Sequence, residues 1–572
     1  MTALRWTHLG LFALSVSALA CDDGSDSAGD AASVDAAADD VAASVDATDR
    51  DAADADEGDD GGTTPFEMMR AACRFQAGAR VADTLGLGPT ARARLPIKNI
   101  IISMKENRSF DHILGRLHES GQPATDAIPD TFVNRDLSDA LVAPFHAPTT
   151  CMPYDPDHQW EGMHAQINGG KMDGFVTTAA KSTHTDGHLV MAYNDATDLP
   201  FYYWMANTFA LEDRHFASAR SGTYPNQNFL VLGTADGVRS TGGGLPQPDT
   251  KSIFDLLDER GISWGVYNDG DPFFGGLGWQ DGHPGLHVVG EFISALDDGT
   301  LPQVTFVEAR AFVLDEHPTA DVQRGEAWTR MIYEHVVASR LWPGIAMIWT
   351  YDEAGGLADH VPPPEHACVA RPGATDAPFF ELGARVPFVM VSPWARPHAV
   401  SHVVEDHTAI TRFIETVFDL PALTARDANS AALLDLFDFE GAAGLLAPGI
   451  PPAAGTGRCA GTVVLTTDKP IYAAGEPVVT SFINGPGRDP RDRIAVYTYP
   501  ASGPTLPNPT PVLVSYIGGT QTPTTAPASA SVIFDQSKLG VGPWPLPSGL
   551  YIAYYLPAGS YLPLASIDFK VR

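Results

Sequence analysis

Asn99-Ile100-Ile101-Ile102-Ser103-Met104-Lys105, running directly into Glu106-Asn107, and Ile345-Ala346-Met347-Ile348-Trp349-Thr350-Tyr351, running into Asp352-Glu353, are the stretches whose reading decides the fold. Each apolar run has the length of a buried strand, and each stops abruptly on oxygen-bearing side chains. In an α/β sheet, ligands gather beyond the carboxyl ends of the parallel strands. Two such ends brought together would form an oxygen-rich pocket suited to a hard divalent cation. The pair therefore points to metal-assisted hydrolysis.

Outward from these runs, Thr305–Glu308 and Pro387–Val391 read as further strands, and Ala327–Ser339 and Thr408–Phe418 as helices. Strands alternating with helices predict a mostly parallel sheet flanked by helices, in one large α/β domain spanning residues 66–455. Past Ala453-Ala-Gly-Thr-Gly457 the texture changes. Residues 461–572 carry short alternating runs, such as Val478-Val-Thr-Ser-Phe-Ile483 and Gly549-Leu-Tyr-Ile-Ala-Tyr-Tyr555, separated by Gly, Pro and Asn turns. That pattern predicts a small all-β sandwich.

The N-terminus reads differently. Arg5 precedes an apolar run from Leu9 to Ala20, too short to span a membrane, and Ala18-Leu19-Ala20 before Cys21 resembles a bacterial lipoprotein cleavage box. Residues 1–21 are thus expected to be a signal peptide with lipid attachment at Cys21, which predicts an exported chain, either a cell-envelope lipoprotein or a secreted protein. Residues 22–65 are almost all Asp, Ala, Ser, Gly and Val. Between Asp22 and Asp60 stand 15 carboxylates and one arginine, a large part of the formal charge of −34. Such a segment buries too little apolar surface to offset its ordering entropy and is expected to be a disordered, self-repelling linker. With 36 basic against 70 acidic side chains, a nucleic-acid partner is excluded. Cys73, Cys151, Cys368 and Cys459 permit two disulfides in an exported chain, with three connectivities open.

Four segments carry chemistry. Glu106 and Asn107 offer a carboxylate and an amide oxygen, and Asp352 and Glu353 two more carboxylates. Asp155-Pro-Asp157-His158-Gln-Trp160 adds an imidazole on a loop, with His164 shortly after. Ser221-Gly222-Thr223-Tyr-Pro225-Asn226 sets a hydroxyl on a turn before a helix-like run, where backbone N–H groups favour a phosphate. A hydroxyl beside a cation can act as a nucleophile.

At these residues the chain resembles the bacterial phosphoesterase family, which contains phosphatidylcholine-type phospholipases C and related acid phosphatases. The resemblance rests on Glu106 to His112, Asp157-His158-Gln-Trp160, Asn168 to Phe175, Gly222 to Asn226, Glu316-His317-Pro318, and Thr350 to Glu353 followed by Asp359 to Pro364. It implies an alkaline-phosphatase-like fold over about residues 97–420. It also implies Thr223 as nucleophile, passing through a phosphothreonine, and a divalent cation of unspecified identity held by Glu106, Asn107, Asp352 and Glu353. His158 and His317 would lie around the phosphate; His407, in Glu405-Asp406-His407-Thr408, matches a further motif. Ala354 and Gln227 stand where the family often has His and Arg, and are expected to tune substrate choice. The tail, through Thr467 to Tyr472, Gly475-Glu-Pro, 484–487 and Leu546 to Gly549, resembles Ig-like modules of exported hydrolases. The expected function is a phospholipase-C-like cleavage of phospholipid phosphodiesters, at a membrane reached through the N-terminal lipid anchor. Alternatives are an acid phosphatase on monoesters, or a surface adhesion protein that has lost activity.

Overall fold

The computed structural model describes residues 64–572 except 242–249, 269–283, 365–366, 374, 458, 460–462, 470, 484–488, 499–510, 526, 528, 537–542, 557 and 559–564. The export signal, Cys21, most of the acidic linker and the tail motif at 484–487 lie outside the described residues. Thr64 and Pro65, expected at the end of the linker, instead open a helix, Pro65–Ala71, closed by a capping box between Thr64 and Glu67.

The described residues lie within one compact unit, Thr63–Arg572. Its centre is an eight-stranded sheet of β1 (Asn99–Lys105), β2 (Ala210–Glu212), β3 (Trp264–Tyr267), β4 (Leu286–His287), β5 (Val304–Val307), β6 (Ile345–Tyr351), β7 (Phe388–Val391) and β8 (Val400–Ser401), in the order β8-β2-β7-β6-β1-β5-β3-β4. Only β7 runs against its neighbours. The chain thus has a mixed α/β fold with a large, mostly parallel central sheet flanked by helices. Every residue of β1 and β6 is buried, which is why both read as unbroken apolar runs rather than alternating ones. Their parallel register pairs Lys105 with Tyr351. The two acidic pairs therefore leave the sheet at the same level, side by side.

Five helices bear on the site: α1 (Phe110–Leu114), α2 (Trp160–Ile167), α3 (Thr223–Leu232), α4 (Val322–Ala338) and α5 (Thr408–Phe418). α4 begins five residues before the expected Ala327, because Asp321 caps it by accepting the Gln323 N–H.

In the C-terminal part, β9 (Val464–Thr467), β11 (Val478–Ile483) and β14 (Ala530–Phe534) form one antiparallel sheet, ordered β9-β11-β14. A second sheet is ordered β10-β16-β15-β12-β13, from β10 (Ile471–Tyr472), β12 (Arg493–Thr498), β13 (Leu513–Tyr516), β15 (Gly549–Leu556) and β16 (Ala565–Val571). Phe482 and Phe534 of the first sheet share an apolar cluster with Ile494, Tyr551 and Phe569 of the second. This part is fastened to the α/β body by the Cys151–Cys459 disulfide, by Arg324 donating to the Ser566 carbonyl at 3.0 Å, and by Arg310 donating to the Tyr554 hydroxyl. The second disulfide joins Cys73 to Cys368, so both bonds the composition permits are present, in one of the three open pairings.

Candidate active site

The end of β1 is held by buried charge. Lys105 Nζ lies 3.2 Å from Glu316, whose carboxylate also accepts the Tyr202 and Tyr351 hydroxyls at 2.5 Å each. Beyond Lys105 the chain turns sharply, with Asn107 in the left-handed region at φ 63°. A short polar side chain tolerates that conformation better than most. Across from it, Gly355 has φ 65°, and a Cβ there would meet the Asn107 carbonyl oxygen at 2.2 Å. The glycine after Asp352-Glu353 is what lets the two acidic motifs close on each other.

They close through direct bonds. The Asn107 N–H donates to Asp352 Oδ1 at 2.9 Å, and the same oxygen takes the Glu353 N–H at 2.7 Å. The Asn107 amide donates to His158 Nε2 at 3.2 Å, while His158 Nδ1 faces the Pro156 carbonyl at 2.8 Å. In that assignment Nδ1 carries the proton, and Asn107 Oδ1 is turned away from the imidazole. Thr223 is the first residue of α3, on a turn that Asn226 holds by accepting the Ala219 N–H at 2.8 Å and donating to the Ser221 and Gly222 carbonyls at 2.9 and 3.0 Å. Its hydroxyl donates to Glu106 Oε2 at 3.1 Å, and Gln227 Nε2 donates to Glu106 Oε1 at 3.1 Å. Glu106, Asn107, Thr223, Asp352, Glu353 and His158 are thus assembled from four separated segments.

The electrostatics of this cluster favour a cation. Burial, then the neighbouring charge of Asp352, holds the Glu106 and Glu353 carboxyls well above the ordinary range, and burial raises Asp352 as well. Asn107 Oδ1, Asp352 Oδ2 and Glu353 Oε1 are buried without a hydrogen-bond partner. Buried oxygens of this kind are costly unless something positive meets them, so the residues present fit a divalent cation.

Beside them, Asp155, His158 and His317 offer ligand atoms all within 4.8 Å of one another, as do Asp111, Asp359 and His360, and His146, Asp195 and Asp198. Glu106, Asp352 and Glu353 are not among the groups drawn that close; they are linked through Asn107 and Thr223. The Asp111 group is spanned by the buried Arg385, which bonds Asp111 and Asp359 at 3.0 and 2.9 Å, and so braces the loop after each acidic motif.

His317 meets His158 edge-on, their ring centroids 5.7 Å apart, and its Nδ1 lies 2.5 Å from the Pro318 carbonyl. Burial, then the charges of His158 and Arg108, lowers it to about 4, so at neutral pH it is uncharged and its Nε2 is a lone pair. The other candidate histidines sit differently. His164 Nε2 is 3.2 Å from Glu381, and His407 is fully buried with Nε2 3.0 Å from the Tyr351 carbonyl, one residue before Asp352. His407 thus steadies the end of β6. Ala354 packs with Met163 and Ala384 in a small apolar cluster. Gln227, expected to tune substrate choice, enters the site through its bond to Glu106, and Asp155, three residues before His158 and given no role from the sequence, joins it beside the two imidazoles.

The Phosphoesterase family profile matches residues 97–421, more than half of the chain. Non-specific phospholipase C1 of Arabidopsis thaliana is 33% identical over 58% of this chain and 69% of its own length. Phospholipase C B of Mycobacterium tuberculosis (strain H37Rv) is 28% identical over 64% of this chain and 82% of its own. Among solved structures, a phosphonate monoester hydrolase from Silicibacter pomeroyi aligns over 62% of this chain and 87% of its own, at 12% identity and a TM-score of 0.29.

Proposed function

Since the chain belongs to the Phosphoesterase family and is a phosphoric ester hydrolase, we propose that it cleaves phospholipid phosphodiesters on the diacylglycerol side, as a phospholipase C does. The relatives' names support the substrate class. The observation that carries the chemistry is the Thr223 hydroxyl at the start of α3, 3.1 Å from Glu106 Oε2, in a cluster where Asn107, Asp352 and Glu353 keep unpartnered buried oxygens.

Glu106, Asn107, Asp352 and Glu353 would hold a divalent cation, which supplies charge neutralisation at the phosphate and lowers the pKa of a nearby hydroxyl. Thr223 Oγ attacks phosphorus and gives its proton to Glu106, to which it is already hydrogen-bonded. The new P–O bond to Thr223 forms as the bond to the glycerol oxygen breaks. His317 holds a proton at Nε2 once the phosphate's charge lies beside it, and passes that proton to the departing oxygen. Water then cleaves the bond between Thr223 Oγ and phosphorus, the phosphorylated head group leaves, and Thr223 Oγ takes back its proton from Glu106. His158 orients the Asn107 amide by accepting from its nitrogen, which leaves the amide oxygen free as one of the atoms that would hold a cation.

Phosphatidylcholine and p-nitrophenyl phosphate, assayed side by side with intact-mass detection of a Thr223 adduct, test this reading. Fast monoester turnover with no diester cleavage would replace it by an acid phosphatase. On sequence pattern alone, the same reading makes residues 1–21 a lipoprotein signal, the enzyme an exported one anchored at a membrane through Cys21, residues 66–455 the catalytic domain, and residues 461–572 an Ig-like sandwich. Two disulfides suit an oxidising compartment.

A further inference from the structure

Phe312 is 68% exposed and is the one aromatic side chain among the described residues that faces solvent so fully. It is also held in the left-handed region, at φ 57°, where a bulky side chain is strained and an Asn or Gly would be at ease. The loop that carries it is built rather than loose. The Arg310 carbonyl accepts the N–H groups of Val313, Leu314 and Asp315 at 3.2, 2.9 and 3.2 Å. Asp315 takes the Phe312 N–H on one carboxylate oxygen at 2.9 Å and the His317 N–H on the other at 3.2 Å. The Asp315 carbonyl in turn accepts the Glu106 N–H at 2.9 Å. On the far side, the Arg310 guanidinium lies over the Tyr554 ring, 5.0 Å from its centre.

A strained residue persists only where its surroundings over-determine it, and such residues concentrate at functional sites. Here the fixed loop sets the phenyl ring 4.7 Å from the His317 imidazole, on the solvent side of a histidine that is itself largely buried. An apolar face at that place cannot recognise a phosphate. It suits what is joined to the phosphate on the leaving side.

We infer that Phe312 is a specificity-determining residue, packing against the acyl portion of a phospholipid at a lipid surface while the phosphate lies beside His317. This rests on the phospholipase-C-like reading. The ring stays in water until that surface covers it, so its burial counts toward the lipid substrate and not toward a soluble one.

The test compares phosphatidylcholine in vesicles with dibutanoyl phosphatidylcholine kept monomeric in solution, which offers the same bond without a lipid surface. Phe312→Ala and Phe312→Asn, the latter relieving the backbone strain, are each expected to lower the vesicle-to-monomer ratio of kcat/KM by about tenfold, as burial of a phenylalanine side chain implies. Phe312→Trp should restore the ratio. Vesicle co-sedimentation of Thr223→Ala, with and without Phe312→Ala, should show the same loss with no turnover involved. A parallel fall on both substrates would mean that the ring only braces His317, and an unchanged ratio that it touches no lipid; either overturns the inference. Wild-type enzyme that cleaves soluble esters and leaves both phosphatidylcholines intact would instead sink the phospholipid reading itself.

Discussion

Replacing Arg385 by methionine isolates the force that holds the two acidic motifs in register. Arg385 is fully buried, with Nε on Asp359 at 2.9 Å, Nη2 on Asp111 at 3.0 Å and Nη1 on the Asp213 carbonyl at 2.9 Å. Methionine keeps much of the volume, so the packing over Phe110 is largely spared, but it strands two buried carboxylates. Removing one partner of a buried ion pair costs about 3–5 kcal/mol, far more than an exposed pair is worth. For a unit of this size that corresponds to a fall in Tm of roughly 3–5 °C. Thermal scanning and guanidinium unfolding, followed by tryptophan fluorescence, would measure it. If the loss comes from the stranded charge, adding Asp111→Asn should return about 1–3 kcal/mol. The asparagine can still accept the His360 N–H now held at 2.8 Å while removing a negative charge. A single variant within 1 kcal/mol of wild type, or a double variant whose losses simply add, would refute the argument.

Thr223→Ala should abolish turnover with a Tm close to wild type, whereas Thr223→Ser should keep measurable activity; wild-type rates in the alanine variant would remove the nucleophile assignment. Dialysis against a chelator should lower both activity and Tm, and a divalent cation at about 100 times its Kd should restore about 2.7 kcal/mol of stability; an indifferent Tm would exclude a cation among the buried oxygens. Glu405, away from the site, is pushed up to about 8 by burial and then by the Asp406 charge, against an ordinary 4.5. A carboxyl raised in the folded state costs stability as pH climbs from its unfolded value through its folded one, so Glu405→Gln should flatten the decline between about pH 4.5 and 8, by at most about 1.4 kcal/mol per pH unit. Parallel stability curves for the two proteins would show that this group does not titrate there.

The strands that build the site were legible because they are buried on both faces: β1 and β6 announce themselves as apolar runs cut off by acids. β2, β4 and β8 are two or three residues long and owe their place to neighbours, so no local pattern marks them. Glu106, Asn107, Thr223, Asp352 and Glu353 could be named from their motifs. What brings them together could not, because it lies in the Lys105–Tyr351 register and in the contact of Gly355 with Asn107, both properties of the folded sheet. The imidazoles were legible as residue types, whereas the hydrogen bonds that fix which nitrogen of His158 faces Asn107 are visible only in space.

The two disulfides interleave along the chain, 73 with 368 and 151 with 459. Each bond therefore spans one end of the other. A protease that nicks the backbone once, anywhere between Cys73 and Cys459, leaves fragments still joined by at least one sulfur bridge. Such a nicked enzyme would migrate as a single species until a reductant is added, and its catalytic segments would stay tethered in the meantime. In a compartment rich in proteases, this linkage separates being cut from being lost.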